Sequence, residues 1–490
     1  MTTDTLDSPA SAPPPTSPPS ASRSSARRRT ALALTAASLP MFMATLDNLV
    51  MTSALPVVQS DLGATDTQLS WFMNAYTLPF ATFMLALAAV GDRLGRRRVM
   101  LAGIGVFTLG SVAAALSGSA EALIAARALQ GVGAAAIVPL SLTLLVAAVP
   151  PAARAAAIGI WSGVAGLGVA VGPVIGGAVV EGLSWQAIFW INVPVALVAV
   201  PLLLLATPES RSSAPGRTDV VGTLLLGGAV FAGVWGIVHG NDDGWSSAGV
   251  VGTLVAASIL ALGYLTWAAR LDRSTRPGDD AVLPLRLFRR RAFSAANVIG
   301  LMFSLGMFGS VFLLSQYLQV VQGYSPLEAG LRTLPWTAAP MVVAPIAGAL
   351  VPRLGARSLL VVGLSLQTAS LVWFASVVES WSGYGDLVVP LVLAGVGMGL
   401  TFAPMSTAVL DGLPDDDLAI ASSANNTVRE FGVALGIAVI VAVFQGAGGS
   451  ISPQGYDGAI GPSLLAAAGA VGVALVAALF VPGRPDPSAA

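Results

Sequence analysis

The sequence predicts an all-α polytopic membrane protein with fourteen transmembrane helices, and three observations carry that expectation. The 490-residue chain is 55 % hydrophobic and only 10 % charged, and its mean hydropathy is +0.79. Apolar stretches recur from about residue 31 to residue 481, each near the roughly 20 residues that cross a hydrocarbon core. Arginine collects in alternate joints between those stretches, as expected where one set of loops stays cytoplasmic.

Taken in order, residues 1–30 are rich in Pro, Ser, Ala and Thr, end in a basic cluster and lack apolar periodicity, so they read as a disordered cytoplasmic tail. The run that follows is too long for a signal peptide and has no convincing cleavage site, which makes it a retained first span, 31–58. Cutting the remainder at polar or Gly/Pro-rich joints gives spans 68–90, 99–117, 121–148, 154–180 and 187–206, then 219–238 and 247–268. The last six are 293–320, 326–351, 357–377, 386–411, 419–445 and 460–481. The chain therefore divides into a six-helix half (31–206), a linker with two extra helices (207–292), a second six-helix half (293–481) and a tail (482–490).

With both termini cytoplasmic, the inside set holds Arg23, Arg27, Arg28 and Arg29, then Arg93, Arg96, Arg97, Arg98 and Arg154. It continues with Arg211, Arg217, Arg270, Arg273, Arg276, Arg286, Arg289, Arg290, Arg291, Arg353, Arg357 and Arg484. Only Arg127, Arg332 and Arg429 fall within or at the ends of spans, so this orientation accounts for 21 of 24 arginines.

Absences remove several chemistries. The chain has no cysteine, hence no disulfide, thiolate nucleophile or cysteine zinc site, and one histidine, His239, cannot build a metal cluster. All 24 Lys+Arg residues are arginine, so no phosphate loop ending in Gly-Lys-Ser/Thr exists. No Gly-x-Ser-x-Gly occurs, and a single histidine is poor material for general-base catalysis. No enzyme activity, metal, cofactor or nucleic-acid partner is expected.

The charged joint "GDRLGRRRVM" (91–100) does more than orient the chain. "AAVGDRLGRRR" (88–98) and "GALVPRLGARS" (348–358) share Arg-Leu-Gly and a further arginine, each between the second and third span of a six-helix set. Such repeats are expected of transporters built from two halves around a midplane site. Here the sequence resembles the major facilitator superfamily, whose loop signature matches Asp92, Arg93, Gly95 and Arg96. Ala88 stands where that signature usually has glycine, and Pro352 stands where the second copy would carry an aspartate. The resemblance implies a major facilitator fold and a cytoplasmic gate at this loop.

The fifth span, "GIWSGVAGLGVAVGPVIGG", places Gly159, Gly168, Gly172, Pro173, Gly176 and Gly177 as in the antiporter signature of drug exporters. Glycines at mostly four-residue spacing let helices approach closely, and the proline removes a backbone donor and permits a bend. "LDNLVMTSALPVV", "ALIAARALQGVG", "SWQAIFWINVP", "LPLRLFRRRAF", "QYLQVVQGYSPLEAGLRTLP" and "NNTVREFG" resemble the fourteen-helix drug:proton antiporter branch. Gln186 replaces an arginine common there.

Charges inside spans are the remaining site candidates, because each would cost about 2.5–3.5 kcal/mol at a helix centre without a partner or water. Asp47 and Arg127 lie at comparable depth in the outer half of their spans. Desolvation favours a neutral carboxyl and a neighbouring guanidinium favours the carboxylate, so a cavity that opens and closes can load and release a proton. Gln130 and Gly131 lie on the face of Arg127 and are candidates to line the same cavity. Arg429 and Glu430 fall near mid-membrane, about 100° apart around their helix; Glu430 is a candidate second acid for a proton or a cationic substrate, with a snorkelling or structurally paired side chain as the alternative. Asn48, Asn74, Tyr76, Tyr317, Gln319, Asn426 and Arg429 are cavity candidates, with interhelical hydrogen bonding the plainer role for any one of them. Glu328 and Arg332 read as a rim ion pair, Trp71, Trp185 and Trp245 as interface anchors, and His239 as a solvated loop residue.

The resemblance thus implies proton-driven efflux of lipophilic drugs or antibiotics across the cytoplasmic (inner) membrane by alternating access, with protons, bilayer and a small lipophilic molecule as partners of a monomer. An importer or uniporter of a small metabolite is the first alternative, and the fifth-span signature argues against it. A membrane sensor or scaffold with a transporter-like body would require a sizeable soluble domain, which no loop supplies.

Overall fold

The computed structural model describes residues 20–150, 153–211, 219–273, 281–378 and 383–483. Fourteen helices among them are long and apolar enough to span a membrane. They are α1 (Ser20–Leu62), α2 (Asp66–Leu94), α3 (Arg96–Ala115), α4 (Ala120–Ala148), α5 (Arg154–Gly182), α6 (Ala187–Ala206) and α7 (Val220–His239). The rest are α8 (Ala248–Leu271), α9 (Arg291–Val321), α10 (Pro326–Leu354), α11 (Ala356–Val378), α12 (Tyr384–Leu410), α13 (Asp415–Gly446) and α14 (Ile460–Ala478).

Local chemistry sets many of the ends. Thr65 with Gln68, and Ser325 with Glu328, form capping boxes at α2 and α10, while Ser119, Asp219 and Ser247 each accept a backbone N–H at the starts of α4, α7 and α8. Three spans are interrupted. α6 is divided at Ile191, α10 at Ala338 between Pro335 and Pro340, and the last residues of α9 (Tyr317–Val321) form a π turn.

One boundary departs clearly from the sequence reading. Residues 20–30, expected in the disordered tail, continue α1 toward its N-terminus. Extending a helix that already exists by a few Ala, Arg and Ser residues avoids the nucleation penalty a free segment would meet. Residues 1–19 and 484–490, and Arg217, Arg276 and Arg484 of the inside set, lie outside the described residues.

The first six and last six helices repeat one packing pattern. α1 packs on α5 and α6, and α4 on α2 and α3; correspondingly α9 packs on α13 and α14, and α12 on α10 and α11. The halves meet along two related seams, α5 with α10 and α2 with α13. α7 and α8 pack on each other, and α7 also lies against both α2 and α13.

The halves close at the end opposite the arginine-rich loops. There the Ser315 hydroxyl donates to the Thr52 carbonyl (3.0 Å), Thr337 to the Ala170 carbonyl (3.1 Å), and the Leu327 N–H to the Glu181 carboxylate (3.3 Å). The main apolar core joins both halves, with Val50 and Leu55 of α1 in one cluster with Leu313, Trp336 and Ile440. A second core, including Met100, Ile137, Leu140 and Leu203, draws on the first six helices alone.

Candidate functional site

The Ser119 cap starts α4 about two turns before Arg127, which directs that side chain into the first half rather than toward a helix end. Arg127 is fully buried and forms a short ion pair with Asp47 of α1, itself 4 % exposed. One guanidinium nitrogen, Nη1, also donates to Gln130 Oε1 (3.1 Å), and Nε donates to the Phe72 carbonyl (3.1 Å). The guanidinium carbon lies 4.5 Å from the centre of the Tyr76 ring, a cation–π contact in a desolvated setting. Tyr76 is fixed by its hydroxyl donating to the Ala44 carbonyl (2.9 Å).

Asp47 has further partners. Its Oδ1 accepts from Gln130 (3.1 Å) and from Asn192 of α6 (2.7 Å), and Ser111 of α3 accepts from the same two amides at 2.8 and 3.1 Å. The cluster thus draws on α1, α2, α3, α4 and α6, with Asp47, Ser111, Arg127, Gln130 and Asn192 all buried. A buried ion pair is held better as its other lone pairs and protons are also bonded; the amides of Gln130 and Asn192 do this for the carboxylate, whereas Nη2 of Arg127 is buried without a hydrogen bond. Asn192 and Ser111 were not singled out from sequence, although each is a polar residue in an apolar run and Asn192 lies inside the quoted "SWQAIFWINVP". Gly131 lines no space, because a Cβ there would collide with the Tyr76 carbonyl.

Arg429 and Glu430 are both half-buried on α13. The Arg429 guanidinium donates to Asn426 Oδ1 at 3.4 Å and stands 4.8 Å from the Phe402 ring centre. Glu430 makes no hydrogen bond or ion pair among the described residues, but it is within electrostatic reach of Arg429 and, across the α2–α13 seam, of Tyr76. The site therefore presents one carboxylate locked into a network and one left open.

The cavity candidates scatter. Asn74 is fully buried on α2 with neither amide atom bonded, and Asn48 is half-buried with its carbonyl oxygen unbonded. Asn426 is exposed. Tyr317 is buried in the second half near Val378, Tyr456 and Ile460, accepting a bond from Gln322 (2.9 Å), and Gln319 donates to the Ser315 carbonyl (3.3 Å) within the π turn.

At the arginine-rich end, Asp92 pairs with Arg96 at 2.6 Å, and Arg93 is exposed. Glu209, after α6, went unnoticed in the sequence. Its carboxylate accepts the Arg97 N–H (3.0 Å) at the uncapped start of α3 and lies 3.7 Å from Arg98. Arg97 in turn donates to the Thr207 carbonyl (2.9 Å), and the Arg96 N–H to the Ser210 carbonyl (3.0 Å). Gly95 makes the turn at φ 123°, and a Cβ on it would stand 2.9 Å from the Glu209 carboxylate. These ties hold the loop to its own half.

The α5 glycines divide by position. Gly168, Gly172 and Gly176 pack on α1, where a Cβ would meet Thr45 Oγ1 at 2.5 Å, Leu49 Cβ at 2.7 Å and the Val50 carbonyl at 2.6 Å. Gly177 lies against the Pro326 carbonyl of α10, and Gly330 of α10 against the Pro173 carbonyl, which Ser53 also bonds at 2.9 Å. Gly159, toward the arginine-rich end, faces open space.

Several peripheral residues are placed differently from the sequence reading. Trp185 is buried and donates to Asp61 (2.6 Å) instead of anchoring an interface, because the turn before α6 folds back onto α1. His239 is half-buried and stacked on Trp235 at 4.1 Å, because the last turn of α7 aligns the two rings. Glu328 and Arg332 do pair, at 3.8 Å.

Comparison with known proteins adds an independent finding. The family model described as Major Facilitator Superfamily matches residues 37–437. The tetracenomycin C resistance and export protein of Streptomyces glaucescens is 35 % identical over 422 residues, covering 86 % of this chain and 77 % of that protein. The methylenomycin A resistance protein of Streptomyces coelicolor is 35 % identical, covering 84 % and 85 %, and the multidrug resistance protein Stp of Mycobacterium tuberculosis is 35 % identical, covering 84 % and 75 %. Among solved structures, the POT family transporter PepTSo superposes with a TM-score of 0.67 at 14 % identity, over 92 % of this chain and 97 % of that one, a likeness of fold alone.

Proposed function

The chain belongs to the Major Facilitator Superfamily, and from that premise we propose that it exports lipophilic drugs or antibiotics across the cytoplasmic membrane in exchange for protons. The relatives named for resistance and export support the substrate class. The observation that carries the coupling is the buried Asp47–Arg127 pair with its Gln130, Asn192 and Ser111 bonds. Protonating Asp47 removes the negative half of that pair and leaves the buried Arg127 guanidinium without a counter-ion, so the protonated state favours a rearrangement that rehydrates or re-partners it.

Alternating access supplies the rearrangement. The halves rock along the α5–α10 and α2–α13 seams, leaving the closed state described here when Gly177 and Gly330 part from α10 and α5. The loop bearing Asp92, Arg93, Gly95 and Arg96 then reaches the second half as the cytoplasmic side closes. Glu430, with Arg429, Asn426, Asn74 and Asn48, faces the passing substrate, and Glu430 serves as the second proton or cation site. The protein works as a monomer with both termini cytoplasmic.

The test is ethidium efflux in inverted membrane vesicles under an imposed proton gradient, with wild type beside Asp47→Asn at matched expression. Loss of gradient-driven efflux in the variant is the expected result. Wild-type efflux in Asp47→Asn moves the coupling site elsewhere, and Glu430→Gln is then the next variant.

A further inference from the structure

Among the described residues the two extra helices lie over the α2–α13 seam, where α7 packs on both sides and α8 packs on α7. Beneath the surface, Val234 and Val238 of α7 form one apolar cluster with Leu78 of α2 and with Ala434 and Ala438 of α13. Gly227 of α7 lies directly on Thr82 of α2. At the end opposite the arginines, adjacent residues of the α7–α8 turn hold different halves. Asn241 donates to the Ala442 carbonyl of α13 (2.7 Å), and Asp242 accepts a short bond from Thr67 at the start of α2. Trp245 donates to Asn241 Oδ1 (2.9 Å) and its ring covers Gly240, which fixes the amide that faces α13.

At its other end the hairpin is fastened to the strap that leads into the second half. Asp219, the cap of α7, accepts from Trp267 of α8 (2.8 Å) and from the Val282 N–H (3.2 Å), and the Tyr264 hydroxyl both donates to and accepts from the Leu283 backbone (3.0 and 2.8 Å). The same strap carries Arg286, which pairs with Asp417 at the foot of α13 (2.7 Å). The hairpin thus bonds α13 directly at the closed end and, at the other end, bonds the strap whose Arg286 pairs with α13; its hold on the first half near the closed end is the Thr67–Asp242 bond beside the ring contacts of Trp71 of α2 with Phe231 (5.8 Å) and His239 (6.4 Å) of α7.

We propose that the α7–α8 hairpin is a clasp over the α2–α13 seam that travels with the second half, with the Thr67–Asp242 bond as its releasable latch. When the halves part at the closed end, α2 slides off α7 and Thr67 leaves Asp242, while Asn241 stays on α13. A hydroxyl-to-carboxylate bond is stronger than a neutral one, so the latch adds to the apolar α7–α2 contact a hold on the closed state that ends once Thr67 moves away. The inference rests on the rocking of the halves proposed above, and it is independent of which compound is carried.

The native chain has no cysteine, so introduced pairs are the only thiols present. In the full-length protein, Thr67→Cys with Asp242→Cys is bridged by a short bifunctional thiol reagent, and Asn241→Cys with Ala442→Cys is bridged in parallel. Bridging 67 to 242 is expected to abolish ethidium efflux, with activity returning after a cleavable bridge is reduced; bridging 241 to 442 is expected to leave efflux unchanged. Undiminished efflux in the first bridged protein, or loss of efflux in the second, overturns the clasp. Should wild type fail to move ethidium, which bears on the proposed substrate class, the yield of bridging is read instead while the gradient is reversed. The 241–442 yield is expected to stay constant and the 67–242 yield to fall in one direction; a constant 67–242 yield overturns the clasp.

Discussion

The two six-helix halves pack alike and treat their buried charges in opposite ways. In the first, Asp47 has three side-chain partners and its counter-ion Arg127 is fully buried beneath Tyr76. In the second, Glu430 has no hydrogen bond or ion pair among the described residues, and Arg429 leans on Phe402 with a long bond to Asn426. The loops follow the same division: Asp92 pairs with Arg96 in the first copy, and Pro352 stands at the matching place in the second. A repeated backbone has therefore been given one half that stores an ion pair and one that leaves its acid accessible. That asymmetry is what a transporter needs if one half commits the proton and the other meets the cargo.

Removing Arg127 breaks the comparison most severely. Arg127→Leu leaves Asp47 buried without a counter-ion, a change that typically destabilises by about 3–5 kcal/mol, so thermal unfolding of the purified protein should shift sharply downward. The double variant Asp47→Leu with Arg127→Leu should recover part of that loss, since the second substitution removes the stranded charge, and the double-mutant cycle reads the coupling of the pair. Arg429→Leu should change the unfolding temperature little or raise it, because a half-buried charge leaves apolar surroundings and its one hydrogen-bond partner, Asn426, is exposed and can bond water. Equal losses from Arg127→Leu and Arg429→Leu would erase the difference between the halves.

The seams give the next largest effect. Gly177→Val drives a side chain into the Pro326 carbonyl, and overpacking of this kind costs about 1–3 kcal/mol, here charged to the closed state. Gly159→Val, on the same helix but facing open space, should stay within about 0.5 kcal/mol. Transport assays should follow the same order, with Gly177→Val slow and Gly159→Val close to wild type. Comparable defects in both would mean that the glycines act through α5 itself, by helix flexibility, and not through the seam.

Much of this was legible in the chain. Apolar runs were enough for the fourteen helices, since the length of an apolar stretch is a one-dimensional property that the bilayer reads directly. Intramembrane charge pointed to Asp47 and Arg127, because a charge in an apolar span has few explanations, and helical spacing from Arg127 pointed to Gln130. Asn192, Ser111 and Glu209 were missed for a different reason: each is an ordinary polar residue whose importance comes from long-range contacts that spacing along one helix cannot reveal. The hold of the α7–α8 turn on both seam helices was invisible for the same reason, since Asn241 meets Ala442 and Asp242 meets Thr67 only through the fold.

The smallest effect separates two roles within the arginine-rich loop. Asp92 and Arg96 form a partly exposed pair, 36 % and 22 % exposed at their side chains, and such pairs are worth about 0–1 kcal/mol. Glu209 instead accepts a backbone N–H at the start of α3, where the preceding residue is Gly95 and offers no side-chain cap; losing a cap typically costs about 0.5–2 kcal/mol. Glu209→Ala should therefore destabilise the first half more than Asp92→Asn does. Raising the salt concentration should shrink the Asp92→Asn effect, because the Debye length of about 10 Å at 0.1 M falls to about 3 Å at 1 M, and should leave most of the Glu209→Ala effect in place. If Asp92→Asn proves the costlier and insensitive to salt, the Asp92–Arg96 pair is structural, and the contrast with Pro352 reflects folding of the first half more than gating.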